Sequence, residues 1–184
     1  MPNPFEIMGL DPDYEIDTDE LESRHRALSG ALHPDRYASS SPTERRMSLD
    51  RAIAVNQAYR TLKDPVRRAE ALLATFGVET DEKNTPAASP ALLMEMMEIR
   101  ESLDEARQQK DLAGVRALGE GMRTRQVKTM SALSAAFRDV KTRASREEDG
   151  AVGLDQATQT LGELRYLRRF FEELEAVEET LLEG

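Results

Sequence analysis

Apolar residues recur at three- and four-residue spacing through most of this 184-residue chain, and no run alternates β-branched with polar residues. That periodicity predicts helices and no sheet. Leu21, Leu28 and Leu32 mark one amphipathic segment, and Ile53, Tyr59 and Leu62 mark another. The punctuation between segments predicts their ends. Asn3, Pro4 and Glu6 open a short first helix that Gly9 closes, and Asp17 with Glu20 opens a second that runs to about Leu32. Ser41-Pro42-Thr43-Glu44 supplies a cap, a first-turn proline and a capping-box glutamate for a third helix ending near Lys63. Asp64-Pro65 cannot continue that helix and caps a fourth, which Gly77 stops.

From Gly77 to Ser89 the period is lost, and Ser89-Pro90 then reads as a new cap and first position. Three long patterns follow, at about 90–109, 112–144 and 151–182, separated by Lys110-Asp111 and by Glu147-Glu148-Asp149-Gly150. Short connections between long helices imply antiparallel neighbours in a bundle. The predicted architecture is therefore all-α, with four helices in 1–76, a connector over 77–89 and a three-helix bundle over 90–184.

Composition narrows the function. The chain has no cysteine, so it offers neither disulfide nor thiolate. Its net charge of -10 argues against a nucleic-acid binder. The charge is uneven: residues 1–20 hold seven acids and no base, whereas residues 21–72 hold ten Lys/Arg against six Asp/Glu, 10 - 6 = +4. A basic helical block of this kind can steer toward an acidic protein surface. No apolar run is long enough to cross a bilayer, and the acidic start is neither a signal nor a transit peptide, so the expectation is a soluble, cytoplasmic protein without membrane contact.

Within the basic block, His33-Pro34-Asp35 stands between two helical patterns. The proline disfavours helical geometry at His33, so the helix must break there and leave the three side chains at a loop tip. Asp35 is suited to a charge-assisted hydrogen bond with an arginine, and His33 can donate or accept. Alone, the tripeptide reads better as an ordinary turn in which Asp35 caps something. With Asn56-Gln57-Ala58-Tyr59 and Asp64-Pro65 behind it, the segment resembles a J-domain, whose His-Pro-Asp loop triggers ATP hydrolysis by DnaK-class chaperones. The resemblance implies chaperone contacts at His33, Pro34 and Asp35, with Arg24, Arg26 and Arg36 as flanking bases. It departs from the family where Ser29, Gly30 and Ala31 replace the usual lysine-rich turn, and Gly30 costs that helix about 1 kcal/mol relative to alanine. His25 has no readable role beyond a solvated or partly packed histidine.

The second constellation lies in the helix from residue 90. Leu92, Met96, Ile99 and Leu103 form the expected core stripe, yet Leu93, Met94 and Met97 are apolar as well, and Leu93 and Met97 continue into Glu101, Asp104 and Glu105. This surplus fits an interface as well as a broad core with an acidic edge. The run Leu93 to Glu105 is similar to the LMExxExRExLDE signature of the HscB family, J-type co-chaperones of iron-sulfur cluster assembly. The similarity extends to Phe5–Leu10, Arg68-Ala69-Glu70 with Leu72-Leu73, and Leu164-Arg165-Tyr166-Leu167. It implies that the bundle holds the scaffold protein IscU through Leu93, Met94, Met97, Glu98, Glu101, Glu105 and Tyr166, the last where phenylalanine is common. The zinc-binding cysteine extension of some relatives is missing. In the last helix Leu161, Leu164, Leu167, Phe171 and Leu174 supply a core stripe, with Tyr166 and Phe170 off it. Core packing is still the simpler account of Phe170.

An enzyme would need a nucleophile with its base, a phosphate loop or a metal cluster. Glu98, Glu101 and Glu105 have no Glu-x-x-His partner, so neither a catalytic residue, a metal site nor a cofactor is expected. A purely structural or dimerising helical protein leaves the His-Pro-Asp loop without purpose. The resemblance implies a co-chaperone that stimulates an HscA/DnaK-class ATPase and delivers IscU to it; a J-domain adaptor for a different client is the alternative.

Overall fold

The computed structural model describes residues 3–80, 90–145 and 150–183, and every regular element among them is helical. The chain divides into two compact units, Met1–Glu79 and Thr80–Gly184. Ser89, most of the expected connector and Glu147 to Asp149 lie outside the described residues.

The first unit contains α1 (Pro4–Met8), α2 (Thr18–Ala31), α3 (Pro42–Lys63) and α4 (Pro65–Thr75), with a 310 turn at Pro34–Tyr37. Local rules set these ends. Asn3 accepts the Phe5 N–H at 3.0 Å, and Gly9 closes α1 at φ 65°. Asp17 Oδ1 accepts from Asp19 and Glu20 N–H. Ser41 and Glu44 form a complete capping box on α3, and Asp64 caps α4 through Val66 and Arg67. The contacts between α2 and α3 run in opposite directions along the two helices: Leu32 with Ser48, His25 with Asn56, Glu22 with Lys63. The pair is antiparallel, with the 310 turn at its closed end.

Phe5, Met8, Tyr14, Leu21, Val55, Leu62, Val66, Leu72 and Leu73 make this unit's core. Leu28, Leu32 and Tyr59 are only half-buried, and Ile53 is 48 % exposed. The buried stripe of α3 is Ser48, Val55, Ala58 and Leu62. Ile53 is two residues from Val55, about 200° round the helix, and so faces away from that stripe. Tyr14 was not legible as core: it lies under the Arg68 guanidinium, 5.0 Å from the ring centroid, and burial raises its phenol pKa despite that cation.

The second unit is α5 (Pro90–Gln108), α6 (Leu112–Ser145) and α7 (Ala151–Glu183). Lys110, at φ 55°, turns the chain between α5 and α6, and Asp111 Oδ1 then accepts the Gly114 N–H at 2.9 Å. The pairs Arg116–Glu178, Arg125–Glu163 and Val140–Gly153 make α6 and α7 antiparallel. Arg100–Glu173 and the Glu95–Arg125–Glu163 bridge run α5 parallel to α7. At about 1.5 Å per residue, α5 spans roughly 28 Å beside partners of about 50 Å, so it covers little more than half of the α6/α7 hairpin.

The core holds Leu92, Met96, Leu103, Val115, Met122, Leu133, Phe137, Val140, Leu161, Leu164, Leu167, Phe170 and Leu174. Two expectations from periodicity are corrected. Phe171, expected on the core stripe, is only half-buried, whereas Phe170 is fully buried, as core packing required, because α7 meets α5 as well as α6 at that level and its buried arc widens to take in Phe170. Their rings meet at 65° with centroids 6.2 Å apart. Ile99 is half-buried rather than core. With Ala117 and Gly121 of α6 and Thr160 of α7 it lines a groove of about 710 Å³ between the three helices.

Candidate functional sites

The antiparallel α2/α3 pair presents His33, Pro34 and Asp35 at its closed end. Pro34 is the first residue of the 310 turn, and His33 is its cap with extended backbone (φ -61°, ψ 134°). The His33 Nδ1 accepts the Asp35 N–H at 3.3 Å, which leaves the proton on Nε2. That nitrogen is then a donor, while the Asp35 carboxylate, 3.5 Å from Nδ1, is an acceptor. The side chains are 59 % and 90 % exposed, so neither is spent on the core. Arg36 Nη1 donates to the Gly30 carbonyl at 3.4 Å, tying the turn back to α2.

The bases beside the loop are not equivalent. Arg26 is exposed on α2. Arg24 is engaged internally: it pairs with Glu20 at 2.6 Å and donates to the Met8 and Gly9 carbonyls at the end of α1. Sequence reasoning gave His25 no role, yet its ring stacks on Tyr59 and its Nε2 lies 2.9 Å from Asn56 Oδ1. Lys63 reaches Tyr59 Oη at 3.1 Å and Glu22 at 3.5 Å, and both partners raise its pKa. A histidine and a tyrosine 34 positions apart carry no local signal of their register.

In the second unit, α5 turns Leu92, Met96, Leu103 and Ala106 inward. Met94 and Met97 are 65 % and 62 % exposed, Leu93 is half-buried, and Glu98, Glu101 and Glu105 are all exposed. One helix thus carries a second apolar and acidic face that its own core does not use. Tyr166, on α7, is half-buried. It lies near Arg100, whose pKa is raised first by the hydrogen bonds to Glu173. Among the described residues no group of three or more His, Cys, Asp or Glu is arranged to hold a metal, and no helix is long and apolar enough to cross a membrane.

A His-Pro-Asp turn closing an antiparallel helix pair, joined in one chain to a three-helix bundle, defines a J-domain protein with a helical carboxy-terminal domain. Comparison agrees for both parts: the DnaJ domain model matches residues 3–71, and the HSCB C-terminal oligomerisation domain model matches residues 88–175. The chain is 38 % identical to a co-chaperone protein HscB homolog of Neisseria meningitidis, over 79 % of this chain and 89 % of that one. It is 34 % identical to the homolog of Haemophilus influenzae over 98 % of both. Among solved structures it is similar to the chaperone HscB from Vibrio cholerae, with TM-score 0.80, 33 % identity and coverage of 97 % and 99 %. The chain belongs to the HscB family of co-chaperones.

Proposed function

We propose that this co-chaperone stimulates ATP hydrolysis by an HscA/DnaK-class chaperone through its His-Pro-Asp loop and delivers an IscU-type iron-sulfur scaffold to it. Residues 1–76 act as the J-domain, 77–89 as connector and 90–184 as the scaffold-binding bundle, working in the cytoplasm. His33 and Asp35 supply a donor and an acceptor held together by Pro34. Arg26 and Arg36 add positive charge, as does Arg24 while it also ties α2 to α1.

The scaffold is held by Leu93, Met94, Met97, Glu98, Glu101 and Glu105 of α5 with Tyr166 of α7. The observation that carries this reading is the exposure of Met94 and Met97 beside these acids, on a helix whose core stripe is complete without them. Apolar anchors ringed by charge suit a protein partner with a basic, apolar surface. Joining both contacts in one chain raises the local concentration of scaffold at the chaperone.

The test is single-turnover ATP hydrolysis by HscA/DnaK-class chaperones, with and without this protein and an IscU-type scaffold, with His33→Gln as control. Stimulation that requires His33 and grows with scaffold supports the coupled role. Stimulation indifferent to scaffold redirects the search to another client, and no stimulation of any chaperone overturns the role.

A further inference from the structure

The helix α5 buries only Leu92, Met96, Leu103 and Ala106 against its partners. So narrow a stripe locates the helix beside α6 and α7 but constrains its roll about its own axis weakly. Two ion pairs flank the stripe. On one side Glu95 meets Arg125 of α6, whose Nε also donates to Glu163 of α7 at 3.0 Å. On the other, Arg100 donates from Nε and Nη2 to the two carboxylate oxygens of Glu173, at 2.8 and 2.7 Å. At 100° per residue, Glu95 and Arg100 are about 140° apart around α5, with the Leu92, Met96 and Leu103 stripe between them. Leu93, Met97 and Glu101 continue round the helix just beyond Arg100.

We propose that Arg100 is a positioning residue for client recognition: its two-point bond to Glu173 sets the roll of α5, and with it the direction in which Leu93, Met97 and Glu101 face. The inference rests on the proposed role of the α5 face. A guanidinium fork bonded at two points resists rotation in a way that a single charge contact does not. The geometry is sensitive, because at a side-chain radius of about 5–6 Å a roll of about 20° moves the contact atoms by about 2 Å. That is enough to spoil the close packing a protein interface needs. In this role Arg100 acts through Glu173, to which its Nε and Nη2 edge is committed.

The experiment uses the full chain and three variants, Arg100→Glu, Glu173→Arg and the two together. Isothermal titration gives affinity for an IscU-type scaffold. In parallel, methionine-methyl NMR with a soluble paramagnetic agent reports roll through Met96, 1 % exposed, and Met97, 62 % exposed. Each single variant is expected to weaken scaffold binding about tenfold, and the charge-swapped double to recover to within about threefold. The contrast between the two methyls should shrink in the singles and return in the double. A double variant that regains the methyl contrast but binds as weakly as Arg100→Glu overturns the positioning role in favour of direct contact. Singles that keep both affinity and contrast overturn it outright. If the wild-type chain binds no scaffold, the functional reading fails, and the methyl contrast alone decides whether Arg100 sets the roll: its survival in Arg100→Glu refutes the claim, its loss there and return in the double upholds it.

Discussion

His25 lies flat against Tyr59, with ring centroids 4.1 Å apart and planes 14° from parallel, and its Nε2 is 2.9 Å from Asn56 Oδ1. Ser29 Oγ stands 3.3 Å from the same nitrogen. The stack joins α2 to α3 two turns from the His-Pro-Asp loop, so it bears on how firmly the pair presents that loop.

His25→Ala removes a stack worth about 0.5–1.5 kcal/mol and a hydrogen bond worth about 1 kcal/mol. The site is half-exposed, so the net loss should be about 1–2 kcal/mol in the first unit. Three of the four tyrosines, Tyr14, Tyr37 and Tyr59, belong to that unit, so urea unfolding followed by tyrosine emission reports it selectively. His25→Phe keeps the stack and should lose less than His25→Ala; equal losses would assign the stabilisation to the hydrogen bond.

What was legible in the sequence was local. Asn3, Asp17, Ser41 and Asp64 each act on backbone within three residues, and all four cap helices as their neighbours dictate. What was not legible depends on register between elements distant in the chain. His25 meets Asn56 and Tyr59, and Arg100 meets Glu173, only once the helices have paired. Phe171 and Ile99 were misjudged as core because a single stripe was counted for helices with two neighbours or beside a groove. The exposed face of α5 could be seen as a surplus of apolar positions, whereas its assignment to a scaffold came from family resemblance.

The capping box of α3 should give the first unit an acid-sensitive component. The Ser41 hydroxyl and N–H both donate to Glu44 Oε2 at 2.8 Å, and these bonds hold the carboxyl below its ordinary pKa. A depressed folded-state pKa means that the stabilisation is complete above the unfolded glutamate value and is lost as pH falls through the lower folded value. Glu44→Gln should therefore lower the melting temperature at pH 7, by a margin that shrinks below about pH 4. A margin independent of pH would show that the carboxylate charge contributes nothing.

Two glycines in helices should respond to alanine with opposite signs. A Cβ at Gly30, in the last turn of α2, meets nothing within 4 Å, so Gly30→Ala should stabilise by up to about 1 kcal/mol. A Cβ at Gly153 would stand 2.7 Å from Val140 Cγ2, 3.2 Å from Val140 N and 3.3 Å from the Ala136 carbonyl. Backbone cannot move aside cheaply. The overpacking cost of about 1–3 kcal/mol should outweigh the gain in helix propensity, so Gly153→Ala destabilises the bundle. Denaturant midpoints for both variants check the pair, and stabilisation at Gly153 would mean that α6 and α7 are less tightly crossed.

Separating the two activities is the most demanding check. Met97 is mostly exposed and Leu93 half-buried, so Leu93→Ala with Met97→Ala should cost the fold about 1 kcal/mol or less. If these side chains anchor the client, losing both should weaken scaffold binding about thirtyfold or more, while stimulation of the chaperone without scaffold is unchanged. His33→Gln should show the reverse, because the loop's side chains are exposed and its loss leaves α5 untouched. Titration against scaffold and single-turnover hydrolysis, run on the same preparations, give both quantities for both variants. Loss of both activities in either variant would mean that the loop and the α5 face are not separable. Unchanged scaffold affinity in the double variant would remove Leu93 and Met97 from the interface, leaving the acidic edge and Tyr166 to account for binding.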